Sequence, residues 1–178
     1  MSRYNRPPTL PGVPEARSYS DAWRISWWIL RGSIYGMGHG SCYGRIGSSL
    51  LALSQGVLFI PVTFTMWGLM HRPWVRYYMS PERNAVLGIV AKRGAWHIVD
   101  HVAAQPGHRQ GKALRDRLIA PLTIAADSAR IEVCTVAANR TLADQYMAQV
   151  PGMVDVGRGI PRGRKLRRPP VEPTTLAQ

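Results

Sequence analysis

Cysteine is scarce in this sequence. Cys42 and Cys134 are the only two, they lie far apart, and neither belongs to a CxxC pair. That excludes a disulfide-dense scaffold and an all-cysteine zinc site within one chain. Inert thiols in a reducing compartment are the expectation. The five histidines show no HExxH spacing. His97 and His101 are four apart, but on a strand they share one face at a separation too large for easy chelation. No metal site is expected. The first 20 residues hold no apolar core of a cleavable signal peptide. Acidic residues are few, 10 against 23 basic, which gives a net charge of +13 and a pI of ≈ 10.8. Such a balance calls for a polyanionic partner: nucleic acid, an anionic membrane surface or a phosphate-rich ligand. Lysine is rare too, with Lys92, Lys112 and Lys165 alone. Arginine dominance suits forked phosphate contacts, and genome composition accounts for it equally well.

What is present falls into four zones of a 178-residue chain, long enough for one domain with a buried core. Residues 1–19 carry Pro7, Pro8, Pro11 and Pro14 and read as a flexible arm. Residues 20–71 are apolar. Ser20 or Asp21 can cap a helix that sets Trp23, Trp27, Trp28, Leu30 and Ile34 on one broad face. The stretch 46–70 has no charge at all, and its length matches a membrane span of about 20 residues. Trp67, with Arg45, His71 and Arg72 at the flanks, fits interfacial anchoring. Its serines and threonines and the kink expected at Pro61 fit a buried helix instead. Residues 72–157 read as a compact α/β unit: strands at 85–92 and 95–104, a helix at 111–129 broken or kinked by Pro121, a strand at 130–138, a helix at 140–150 and a last strand in MVDVGRG. That order predicts a mixed sheet with crossover helices. Residues 158–178 read as a basic, proline-rich tail, Arg158 to Arg168, suited to nucleic acid or anionic lipid.

The segment HVAAQPGHRQGKALRDRLIAPL, 101–122, runs from a strand through a loop into a helix start. A helix N-terminus offers free N–H groups and partial positive charge to phosphate. Gly111 permits close backbone approach, and Arg109 and Lys112 add charge. No Walker A loop and no GxGxxG fingerprint is present.

The loop His108-Arg109-Gln110-Gly111-Lys112-Ala113 resembles the acyl-CoA loop of the GNAT (general N-acetyltransferase) superfamily, matching at Gly111 and Ala113. His108 stands where the family has Arg or Gln. Asn139 and Tyr146 have the family's seven-residue spacing after the next strand. The resemblance covers residues 85 to 160. It implies a GNAT-like α/β (α+β) fold preceded by an apolar helical region, and acetyl-CoA or another acyl-CoA as co-substrate. It implies that the 108–113 backbone holds the pyrophosphate and that Val102, Ala103 and Ala104 pair with the pantetheine arm. Asn139 would bond that arm, and Tyr146 would protonate the departing thiolate. An amine acceptor needs a base. Asp100, His97 and His101 lie on the strand leading to the loop, Asp100 on the opposite face from the histidines.

Three functions follow. The first is an N-acyltransferase, cytoplasmic and membrane-associated through 46–70. The second is a basic nucleic-acid-associated protein. The third is a membrane-anchored scaffold with a degenerate GNAT-like domain.

Overall fold

A computed structural model describes residues 6–39, 42–159 and 163–171. It contains five helices and a six-stranded mixed sheet of order β1-β2-β3-β4-β6-β5. The elements are α1 (Tyr19–His39), α2 (Cys42–Val57), α3 (Phe59–Met70), β1 (Val75–Met79), β2 (Ala85–Lys92), β3 (Ala95–Ala103), α4 (Gln110–Ser128), β4 (Glu132–Ala137), α5 (Arg140–Gln149), β5 (Val154–Arg158) and β6 (Arg164–Arg168). The chain forms two compact units. One comprises Gly12–Gly88 and Asp100–Leu114, the other Met1–Pro11, Ile89–Val99 and Arg115–Gln178.

In the first unit α1 packs against α2 and α3, and α3 against β1. The cap of α1 is Ser18, not Ser20 or Asp21. Its hydroxyl accepts from the Asp21 amide at 3.1 Å, while the Asp21 carboxylate accepts from the Ser18 amide at 3.2 Å. This reciprocal box satisfies two otherwise orphaned donors. The uncharged stretch 46–70 is two helices that break at Leu58. Proline explains the position of the break. Pro61 has no N–H to offer a preceding turn and its ring would clash with the carbonyl four residues back. In the first turn of a new helix neither matters. Among the described residues no helix is long and apolar enough to cross a membrane, so 46–70 is not one span.

The proline-rich arm is tied down from Leu10 onward. Leu10 and Ala16 are buried. Glu15 bridges Tyr78 antiparallel, with Ala16 N–H on the Tyr77 carbonyl at 2.9 Å and Met79 N–H on that of Pro14 at 2.8 Å. Proline tolerates such an edge position because it has no ladder donor to lose.

In the second unit β4 pairs parallel with β3, and β6 pairs antiparallel with both β4 and β5. Strand β6 corrects the reading of a solvated tail. RKLRR buries Leu166 and Arg168 and exposes Lys165 and Arg167, a strand alternation written mostly in charge. The Arg168 guanidinium donates to both carboxylate oxygens of Asp127 at 2.7 Å and to the Pro151 carbonyl at 2.7 Å. Arg164 pairs with Asp155 and Arg167 with Glu132. Three of the cations assigned to a tail are thus engaged inside the fold. Helix α4 continues through Pro121, where a kink or a break is expected, without a break, and Leu114, Leu118 and Leu122 are buried along its inner stripe.

Candidate functional site

Strands β3 and β4 share a short parallel ladder, from Ala95↔Glu132 to Ile98↔Thr135. Both run on past that rung, β3 to Ala103 and β4 to Ala137. At the last rung the Thr135 hydroxyl donates to the Ile98 carbonyl at 3.3 Å. Two residues later Asp100 takes a left-handed φ of 45°, a conformation that costs a non-glycine residue about 1–3 kcal/mol. A left-handed residue interrupts the regular alternation of a strand. A cleft of ≈ 260 Å³ is lined by His97, Ile98, Val99, Cys134, Thr135, Val136 and Lys165. Its walls are mostly apolar, with one imidazole, one hydroxyl and one ammonium as polar groups.

Burial favours the neutral forms of His97 and Cys134 in this cleft. Burial holds the His97 imidazole below its usual range, opposed by a bond with the Lys92 backbone. A neutral imidazole can accept a proton at pH 7. Burial pushes the Cys134 thiol up to about 12, reinforced by its bond to Glu132 at 2.9 Å. The thiol stays protonated and is no nucleophile, in keeping with the sequence expectation of an inert cysteine.

Asp100, the sequence candidate for a base, accepts from the Tyr77 hydroxyl at 2.7 Å. Burial, then the Asp100 charge, pushes the Tyr77 phenol well above its ordinary range. Tyr77 thus acts as a fixed donor that orients the carboxylate. His101 turns to the loop instead, its Nε2 donating to the Gly111 carbonyl at 2.8 Å.

The loop that carries the family resemblance is built by its own contacts. Ala104 donates to the Asn84 carbonyl at 2.8 Å and its own carbonyl accepts from Arg31 at 3.1 Å. Gln110 folds its side-chain carbonyl back onto the Gln105 amide at 3.1 Å. Gly107 and Arg109 have φ of 87° and 57°, which turn the chain into α4 at Gln110. The Ala113 amide is taken by the Arg109 carbonyl at 3.1 Å. A Cβ at Gly111 would stand 2.8 Å from His101 Nε2, so a larger residue here has to displace that ring. His108, Arg109, Lys112 and Ala113 are exposed, and Val102 and Ala103 are half-buried at the end of β3.

Asn139 and Tyr146 sit on α5. Asn139 is its N-cap, the side-chain oxygen accepting from the Leu142 amide at 2.8 Å. That is a structural use of asparagine at this place. Tyr146 is only 2% exposed, with the Arg115 guanidinium 4.8 Å above its ring. Burial raises its phenol above the ordinary value, opposed by Arg115. Arg115 in turn donates to Gln149 at 2.5 Å. Tyr146 is not among the residues lining the cleft. The cleft-lining Thr135, Val136 and Lys165 carry no motif and were not legible as site residues. Strand alternation beside a ladder end is the only signal that could have found them.

No group of three or more potential ligands that could hold a metal ion occurs among the described residues. No family model matches the chain, and no curated protein is similar to it in sequence. Its structure, in contrast, is similar to solved acetyltransferases. The PaiA N-acetyltransferase of Thermoplasma acidophilum, in complex with coenzyme A, superposes with a TM-score of 0.58 at 8% identity, over 89% of this chain and 99% of that one. An acetyltransferase from Thermus thermophilus gives 0.51 at 14% identity, over 92% and 99%. At these identities the likeness is one of fold. The mixed sheet, the short β3–β4 ladder and the crossover helix α4 are thus the fold of these acetyltransferases.

Proposed function

We propose that the protein is an N-acyltransferase that moves an acetyl or other acyl group from acyl-CoA to an amine. The observation that carries this reading is the cleft where the β3–β4 ladder ends. A largely apolar cleft beside the end of a strand ladder fits a pantetheine arm, whose amides need strand-like partners and whose methylenes need apolar walls. Coenzyme A is bound in the PaiA structure of the same fold. Toward that co-substrate, Gly111, Arg109, Lys112 and the first turn of α4 would hold the pyrophosphate. His108, Gln110 and Ala113 complete the loop. Val102 and Ala103 would face the arm.

The reaction forms a C–N bond and breaks the thioester C–S bond. The amine must lose a proton before attack, and the thiolate must gain one as it leaves. His97, neutral and cleft-lining, and Asp100, oriented by Tyr77, are the two acceptors of the amine proton. Tyr146 is the proposed donor to the thiolate. Its phenol, raised by burial, is protonated at neutral pH.

The test is incubation with acetyl-CoA and a panel of amines, from polyamines to peptide N-termini, while thiol release is followed. Amine-dependent release supports the reading. Absence of release with every amine, despite bound acetyl-CoA, counts against catalysis and leaves a binding domain.

A further inference from the structure

The three N-terminal helices present an aromatic surface that the acyl-transfer site does not use. Tyr19 and Phe64 rings lie 5.3 Å apart, Tyr19 and Trp67 6.1 Å, Tyr19 and Trp23 6.5 Å, Trp23 and Phe59 4.7 Å, and Trp27 and Phe59 6.4 Å. These contacts join α1 and α3 into one cluster of six rings. The cluster is not a core: Trp23 is 45% exposed, Trp27 50% and Phe64 53%. Helix α2 adds a stripe at Ile46, Leu50, Leu53 and Val57, all exposed, at helical spacing of four, three and four. An apolar surface of this kind on a folded chain marks an interaction site.

Charge identifies the partner. No residue from Ala22 to Pro81 is acidic, while Arg24, Arg31, Arg45, Arg72 and Arg76 are basic. The two acids before this stretch, Glu15 and Asp21, are paired with Arg17, Arg76 and Arg83, and Glu82 follows it. A second copy of this surface would set arginine against arginine, with no acidic residue in the whole stretch from Ala22 to Pro81 to relieve it. An anionic lipid surface supplies both complements: headgroup charge for the arginines and an acyl boundary for exposed tryptophan, phenylalanine and leucine. The break at Leu58 suits helices that lie along a surface, and among the described residues no helix is long and apolar enough to cross a bilayer.

We infer that α1, α2 and α3 dock the protein on anionic membranes, the aromatic cluster entering the interface. The test is sedimentation of the full chain with vesicles of phosphatidylcholine alone or with about one-third phosphatidylglycerol. The expected result is sedimentation with the anionic vesicles only, a blue shift of tryptophan emission, and binding that weakens between about 0.1 M and about 1 M salt. Trp27→Ser and Leu53→Ser, both at exposed positions, should each weaken partitioning at least about fivefold with unchanged circular dichroism. Retention in the supernatant with every vesicle overturns the inference. So does equal binding to neutral and anionic vesicles, or a stable dimer without lipid that Trp27→Ser converts to a monomer.

Discussion

The Thr135 hydroxyl donates to the Ile98 carbonyl at 3.3 Å, on the last rung that β3 and β4 share. Beyond it β3 runs on to Ala103 and β4 to Ala137 without a further shared rung. The walls of the resulting cleft include Val136, which is 50% exposed. A large ring can therefore be placed there without disturbing the core. Val136→Trp is expected to weaken acetyl-CoA binding at least about tenfold, or about 1.4 kcal/mol, with little change in Tm. Calorimetry and a thermal melt on the same sample check both halves.

Gly111 packs against His101. An added methyl would lie 2.8 Å from the imidazole Nε2, and the same nitrogen bonds the Gly111 carbonyl. Gly111→Ala is expected to cost about 1–3 kcal/mol through overpacking. His101→Ala removes the obstructing ring, so the double variant should recover most of what Gly111→Ala loses. A denaturant double-mutant cycle reads the coupling. Strict additivity would mean the two residues do not meet.

Arg168 ties β6 to α4 through Asp127. Its guanidinium is almost wholly buried, and the Asp127 carboxylate is 26% exposed. Arg168→Met removes the charge and leaves the carboxylate half-covered, at an expected loss of about 2–4 kcal/mol, discounted for solvent at the carboxylate. The hydrogen bonds from Arg168 hold the Asp127 carboxyl below its ordinary 3.8. A lowered carboxyl pKa stabilises the fold fully above the unfolded value and less as pH falls through the folded one. The Tm gap between wild type and Arg168→Met should stay constant above about pH 5 and narrow below about pH 4.

Tyr146→Phe separates proton donation from packing. The phenol is buried beneath Arg115, and phenylalanine keeps the ring. The proposed role predicts a fall in kcat of about 10²-fold with acetyl-CoA affinity unchanged. A fall in Tm with kcat intact would assign the residue to packing against Arg115 alone.

Much of the fold was legible because apolar periodicity survives in β2, β3, α4, β4 and α5. Strand β6 was not. Its inward residues are Leu166 and Arg168, and the partner that makes burial of Arg168 tolerable lies on α4, 41 residues away. The parting of β3 from β4 was hidden for a similar reason: nothing in the local sequence marks Asp100 for a left-handed φ. The loop at Gly111 could be read from its motif, and the contact with His101 explains its glycine. The loss of a single span over 46–70 follows from Pro61, whose position in the run signalled a kink but not that a new helix begins two residues before it.

The account stands most directly on one titration. Acetyl-CoA added to the wild-type protein in a calorimeter should give a saturable, one-to-one isotherm in the micromolar range, weakened by Val136→Trp. No heat of binding at millimolar acetyl-CoA, or an isotherm that Val136→Trp leaves unchanged, would contradict a co-substrate seated in the β3–β4 cleft.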